Sequence, residues 1–231
     1  MLQKEHSRRE EVSPARRMIK VWDLPTRLFH WLGAALVAAA YGSWRLNWML
    51  WHVRIGLALL ALVIFRLLWG VWGSESARFS RFLARPSAAF RHLARLFEHT
   101  PDRETSHNPA GGWMVVVLLG LLLGETLSGV YVNNDIANES DLTEIVPPII
   151  ANAITDLHTI LWWALVAAIA LHIAAILVYA VAKGQNLTRP MLTGAKMLPP
   201  EIAPPRFAPL GRALALFAAS IAAAFALGAA L

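Results

Sequence analysis

The chain contains no cysteine. That absence removes structural disulfides, covalent c-type haem attachment, thiolate ligation of haem and cysteine-held iron–sulfur clusters. Charge is also scarce. Only 16% of the 231 residues are charged, against 57% hydrophobic, a balance that soluble domains of this size seldom reach. Lysine and arginine are missing between Asn133 and Leu157. The first 18 residues hold no apolar core segment and no small-residue cleavage site, so no cleavable signal is expected. The net charge of +6 does not point to nucleic acid, because the basic residues flank apolar runs, as membrane topology demands. A redox centre here has only histidine, methionine or a cofactor held without thiols to draw on.

What is present is a series of apolar runs of membrane length. They cover residues 28–44 (between Arg27 and Arg45), Met49–Trp72, 113–132, 157–181 and an alanine-rich 214–231. The expected fold is all-α, a transmembrane four-helix bundle with a fifth, C-terminal transmembrane helix. The expected organisation is a polar tail over 1–20, a transmembrane domain over 21–198, and a proline-rich linker plus apolar helix over 199–231. An arginine-rich stretch holds Arg78, Arg81, Arg85, Arg91, Arg95 and Arg103, with a short amphipathic surface helix expected over 87–98. The segment before the fourth run is acidic, with Asp135, Glu139, Asp141, Glu144 and Asp156. Positive charge gathers in the tail, in the arginine-rich stretch and after the fourth run, so the N-terminus is expected in the cytoplasm and the acidic segment outside a bacterial inner membrane. Trp22, Trp31, Trp44, Trp48, Trp51, Trp69, Trp72 and Trp113 lie near span ends and read mostly as interfacial anchors.

Four histidines lie in or at the ends of these runs: His30, His52, His158 and His172. An imidazole in lipid is costly and rarely idle. His158 and His172 are 14 positions apart, which is about 21 Å of helix rise and close to a whole number of turns, so both leave one helix face at different depths. Topology places His52 and His158 near the outer face, and His30 and His172 near the inner face. Each level then has two ligands from two helices, the requirement for a pair of bis-histidine haem irons inside a bundle. Ligation of that kind leaves no open iron position and favours electron transfer over oxygen chemistry. A zinc site needs its ligands together at one depth, which this spread forbids. His6, His92, His99 and His107 sit in polar segments and are expected in solvent.

Other polar groups lie in the runs. Arg54 and Arg66 either pair with haem propionates or snorkel to headgroups, with snorkelling favoured for Arg66 unless it faces the bundle. Glu125 is the one acid in mid-span; it is either a neutral buried group or a participant in quinol proton transfer. Gly33, Gly42, Gly56, Gly120, Gly124 and Gly129 permit close approach of helices or of a macrocycle.

These residues carry a family resemblance. The segment Val21-Trp22-Asp23-Leu24-Pro25-Thr26-Arg27-Leu28-Phe29-His30-Trp31 resembles the first-helix opening of the bacterial cytochrome b561 and nickel–iron hydrogenase cytochrome b superfamily. Phe65-Arg66-Leu67-Leu68-Trp69-Gly70, Ala77-Arg78-Phe79, Leu157-His158, Leu171-His172, Gly184-Gln185-Asn186-Leu187 and Met191-Leu192-Thr193-Gly194 are similar too, over about residues 20–198. The resemblance implies two b-type haems held by His30, His52, His158 and His172, with electrons passing between a membrane quinone pool and a partner. Hydrogenase-associated members tend to have a longer first link, which argues against a hydrogenase partner. The acidic outer segment suits a basic periplasmic partner such as a c-type cytochrome, or an oxidoreductase subunit. Two other readings stand beside this one: a superoxide:quinone oxidoreductase of the same family, and a haem-free membrane anchor for a soluble enzyme. A histidine-relay transporter would want more intramembrane acids and broken helices.

Overall fold

Asp23 starts the first helix. Its Oδ1 accepts the Thr26 N–H at 2.9 Å, and Pro25 takes a first-turn position where no amide is missed. In the computed structural model of the chain, which describes residues 16–96, 98, 102–132 and 147–229, α1 then runs Leu24–Arg45. A three-residue link turns the chain at Asn47, whose φ of 56° is left-handed and suits an asparagine. α2 (Met49–Trp72) returns along α1. A 3₁₀ turn (Glu75–Ala77) and two short helices, α3 (Phe79–Phe82) and α4 (Pro86–Ala94), lead to α5 (Pro109–Val130). Asn108 caps α5 by accepting the Gly111 N–H at 2.7 Å. α6 (Pro148–Lys183) ends at Gly184 in the left-handed region, and α7 (Thr188–Thr193) and α8 (Leu210–Ala229) complete the helices.

The bundle is all-α in its membrane part. α2, α5, α6 and α8 are each long and apolar enough to cross a membrane. α1 matches them in length at roughly 33 Å, but its arginines, histidine and hydroxyl-bearing residues make it more polar. The C-terminal run forms α8, which lies against α2 through the small residues Ala213 and Ala224, with Phe217 edge-on to Phe65.

Three sequence expectations change. α6 begins nine residues before the expected start of the fourth run, so Asp156 rides on the helix and His158 is well inside it. The cause is local: Pro148 is compatible with a first turn, and the residues up to Asp156 hold no further proline or glycine to stop the helix. Secondly, the end of the expected solvated tail is a strand, β1 (Arg17–Lys20), paired antiparallel with β2 (Ala195–Leu198). Ile19, Val21, Trp22 and Leu198 make a small core there, and apolar burial offsets the ordering of two short strands. Thirdly, Trp69 and Trp22 are buried rather than interfacial, while Trp31, Trp44, Trp48, Trp51 and Trp72 stay exposed as expected. The acidic segment over 133–146 and residues 1–15 lie outside the described residues.

The proline-rich stretch before α8 is pinned to the end of α2. The Glu75 N–H donates to Arg206 O at 2.9 Å, the Arg206 N–H donates to Glu75 Oε2 at 3.1 Å, and the Ala208 N–H donates to Ser74 Oγ at 3.0 Å. Trp69 ties α2 to the start of α1, its Nε1–H donating to the second oxygen of Asp23 at 3.0 Å. Asp23→Ala removes a helix cap and orphans this buried indole N–H, so the variant should lose about 3 kcal/mol of stability, with Asp23→Asn losing less. Denaturant unfolding of the detergent-solubilised protein measures this; a loss under about 1 kcal/mol would deny Asp23 its role as a clasp.

Candidate functional site

α6 carries His158 and His172 toward the α1–α2 pair. It packs along α5, whereas its backbone stands off from α1 and α2. Across that gap the imidazoles meet in two couples. His30 of α1 faces His172 with ring centres 6.3 Å apart, and His52 of α2 faces His158 at 6.4 Å. Among the described residues no three metal-ligating side chains converge. Between the levels, Tyr41 of α1 stacks on Trp162 of α6 at 5.3 Å and 9°.

The spacing of each couple has a chemical meaning. Iron–nitrogen bonds of about 2.0 Å, with about 1.1 Å from nitrogen to ring centre, set two axial imidazoles roughly 6.2 Å apart. The room is there as well: Gly33, one turn from His30, is buried, yet a side chain on it would meet nothing within 4 Å.

Hydrogen bonds orient the outer rings. His52 Nδ1–H donates to the carbonyl of Ala40 at 2.9 Å, which leaves Nε2 with its lone pair. His158 Nδ1–H reaches the Glu125 carbonyl at 3.1 Å and Ser128 Oγ at 3.0 Å, so it too presents an unprotonated Nε2. A hydrogen-bonded Nδ1–H of this kind is the usual support of a metal-ligating histidine. The Glu125 carboxyl lies 3.4 Å from that Nε2, which brings the mid-span acid to the outer couple. Its Oε2 is sealed from solvent without a hydrogen bond.

The remaining site expectations divide. Arg54 is exposed and lies over the Trp51 ring of its own helix at 5.5 Å, in keeping with snorkelling. Arg66, favoured on sequence to snorkel, is instead 2% exposed inside the bundle, over Phe79 at 5.2 Å, with Nη1 lacking a partner. The reason is the fold of 73–82, which bends α3 back across the inner end of α2.

His107 and His92 are corrections of another sort. His107 is not solvated. Its ring packs between Trp22 and Phe82, with centres 4.7 Å from each, and its Nδ1 is sealed off and unpartnered. Burial, then the charges of Arg66, His172, His30 and Lys196, push its pKa down to about 3, so the ring is neutral. His92 shares a hydrogen bond with the Tyr179 hydroxyl at 2.5 Å and stacks on its ring. No local signal in the sequence marks either residue, since the groups that partly cover them come from segments distant in the chain. His6 and His99 lie outside the described residues.

The model of the prokaryotic cytochrome b561 family matches residues 21–194, three-quarters of the chain and all four paired histidines. The chain belongs to that family. No curated protein and no solved structure matches it significantly. As a cytochrome b561-family member it is a multi-pass bacterial membrane protein and a b-type cytochrome of electron transfer. The chain's own residues fit a haem: paired imidazoles at a spacing that suits one iron between them, oriented Nδ1–H groups and a buried guanidinium with one amino group unpartnered. α8 lies outside the matched span and is an addition to the family core.

Gly129 supplies a local test of the outer couple. A Cβ there would stand 2.9 Å from His158 Cε1, closer than real contacts allow. Gly129→Ala should therefore displace the ring, cost roughly 1–3 kcal/mol, and alter the reduced b-type absorption band. Gly120→Ala, where a Cβ meets nothing within 4 Å, should leave the spectrum as it is. Identical spectra for both variants would separate His158 from the haem.

Proposed function

We propose that this cytochrome carries two haem b groups, one between His30 and His172 and one between His52 and His158. It passes electrons across the bacterial inner membrane between the quinone pool and a periplasmic redox partner. The observation that supports this best is the pair of imidazole couples, 6.3 and 6.4 Å across, with one member of each on the same face of α6. The iron porphyrins supply a one-electron couple without an open coordination site. The protein's part would be to supply His30, His172, His52 and His158 as ligands to the two irons, to fix the tautomers of His52 and His158 through Ala40 and Glu125, and to keep lipid and water from the irons. Low reorganisation of a rigid, saturated site favours electron passage over chemistry at the metal.

Positive charge on the inner loops orients the protein with the N-terminus and the His30–His172 couple toward the cytoplasm. The acidic outer segment then selects a basic partner, a c-type cytochrome or an oxidoreductase subunit. Glu125, at the outer couple, is the intramembrane acid placed to take part in quinol proton transfer there.

Haem content tests the proposal. The purified protein should hold two haem b per chain, both reducible by a quinol. His172→Ala should fall to one haem with the outer signal preserved, and His158→Ala should lose the other. Loss of both haems in His172→Ala, or of neither, would refute the pairing, and a colourless wild-type protein would favour the membrane-anchor reading.

A further inference from the structure

The inner end of the bundle holds more buried hydrogen-bond donors than the protein itself can satisfy. Arg66 Nη1, Arg27 Nε, His107 Nδ1 and His30 Nδ1 are all sealed from solvent, and none has a hydrogen-bond partner. They come from three separate parts of the chain and share one neighbourhood. His107 lies among Arg66, His30, His172 and Lys196, and its ring packs on Trp22. Trp22 and Arg27 both close on Gly194, where a Cβ would lie 2.9 Å from Trp22 O and 3.3 Å from Arg27 Nε.

Two acids near this end already hold partners. Asp23 faces Arg66, but its oxygens accept the Thr26 N–H and the Trp69 Nε1–H. Asp102 is paired with Lys196 at 2.5 Å. Arg27 Nη1 reaches the Leu192 carbonyl, which carries no charge. A guanidinium that is 2% exposed, with one amino group orphaned, is a costly arrangement unless an anion completes it. The outer couple is built differently: its Nδ1 groups are satisfied by Ala40 and Glu125, and the arginine beside it, Arg54, is exposed.

We propose that Arg66, His107 and Arg27 form the carboxylate seat of the inner haem, donating to its propionates at the cytoplasmic end of the bundle, while the outer haem has no equivalent buried seat among the described residues. The inference rests on the dihaem reading above. It adds His107 and Arg27 to the haem-binding residues and makes the two haems electrostatically unequal. A cation beside a haem opposes the extra positive charge of the ferric state, so the seat raises the midpoint potential of the inner haem. The donors of His107 and Arg27 hold the carboxylates close to Arg66 and away from water.

The test is an optical redox titration of the full-length, haem-loaded protein, with the inner signal assigned by its loss in His172→Ala. Arg66→Gln should shift the inner midpoint to lower potential and make that haem easier to extract, with the outer haem unmoved as an internal check on folding. His107→Phe, which fills the aromatic slot but lacks a donor, should produce a smaller shift of the same sign. Arg66→Lys should restore most of the wild-type potential and remains informative if Arg66→Gln does not accumulate, since it should then sit at or just below wild type. Unchanged inner potential and retention in Arg66→Gln and His107→Phe would overturn the inference while leaving the dihaem reading intact. The same holds if the potentials stay put and the quinol concentration for half-maximal reduction rises several-fold, because the donors would then serve a quinone oxygen. A wild-type protein without haem would overturn both.

Discussion

An imidazole in hydrocarbon is costly to leave alone, and four of them meeting in two couples set the geometry of this bundle. α6 sets two such rings on one face, about 21 Å apart in depth, by nothing more than helical rise and period. The other helices then have to bring matching groups to both depths. α1 and α2 each deliver one histidine, and they reach opposite levels because a three-residue link sends the second helix back along the first. The backbone gap between α6 and this hairpin follows from the same arrangement: the rings meet, but the helices do not.

The rest of the fold holds that gap at its width. α5 supports α6 from behind and contributes the Glu125 carbonyl and Ser128 that orient His158. Tyr41 and Trp162 span the gap between the levels as a stacked pair, which sets a distance that neither helix could set alone. At the inner end the Asp23–Trp69 clasp and the β1–β2 pair bind the start of α1 to the end of the matched family core. α8 covers the far side of α2 with alanines, adding packing without entering the site.

The two ends of the bundle differ in how they treat polar atoms. The outer end pairs its imidazole Nδ1 groups with backbone and hydroxyl oxygens. The inner end concentrates buried, unpaired nitrogens from α1, α2 and the segment before α5. The two levels therefore present unlike electrostatic surroundings.

The four histidines, their depths and their pairing were legible along the chain, because rise per residue and alternation of spans convert position into depth. The clasped strands were not, since four residues such as Arg17-Met18-Ile19-Lys20 carry no pattern until a distant segment lies beside them. Arg66 and His107 show the same limit more sharply. A guanidinium near a span end looks like a snorkelling group, and a histidine among polar neighbours looks solvated. Burial of both is decided by α3, Phe82 and Trp22 closing over the inner end, contacts between segments tens of residues apart. Periodicity and composition by themselves determined a membrane helix bundle with histidines at two levels; only the tertiary packing decided which polar atoms lost their water, because desolvation depends on what other parts of the chain come to cover.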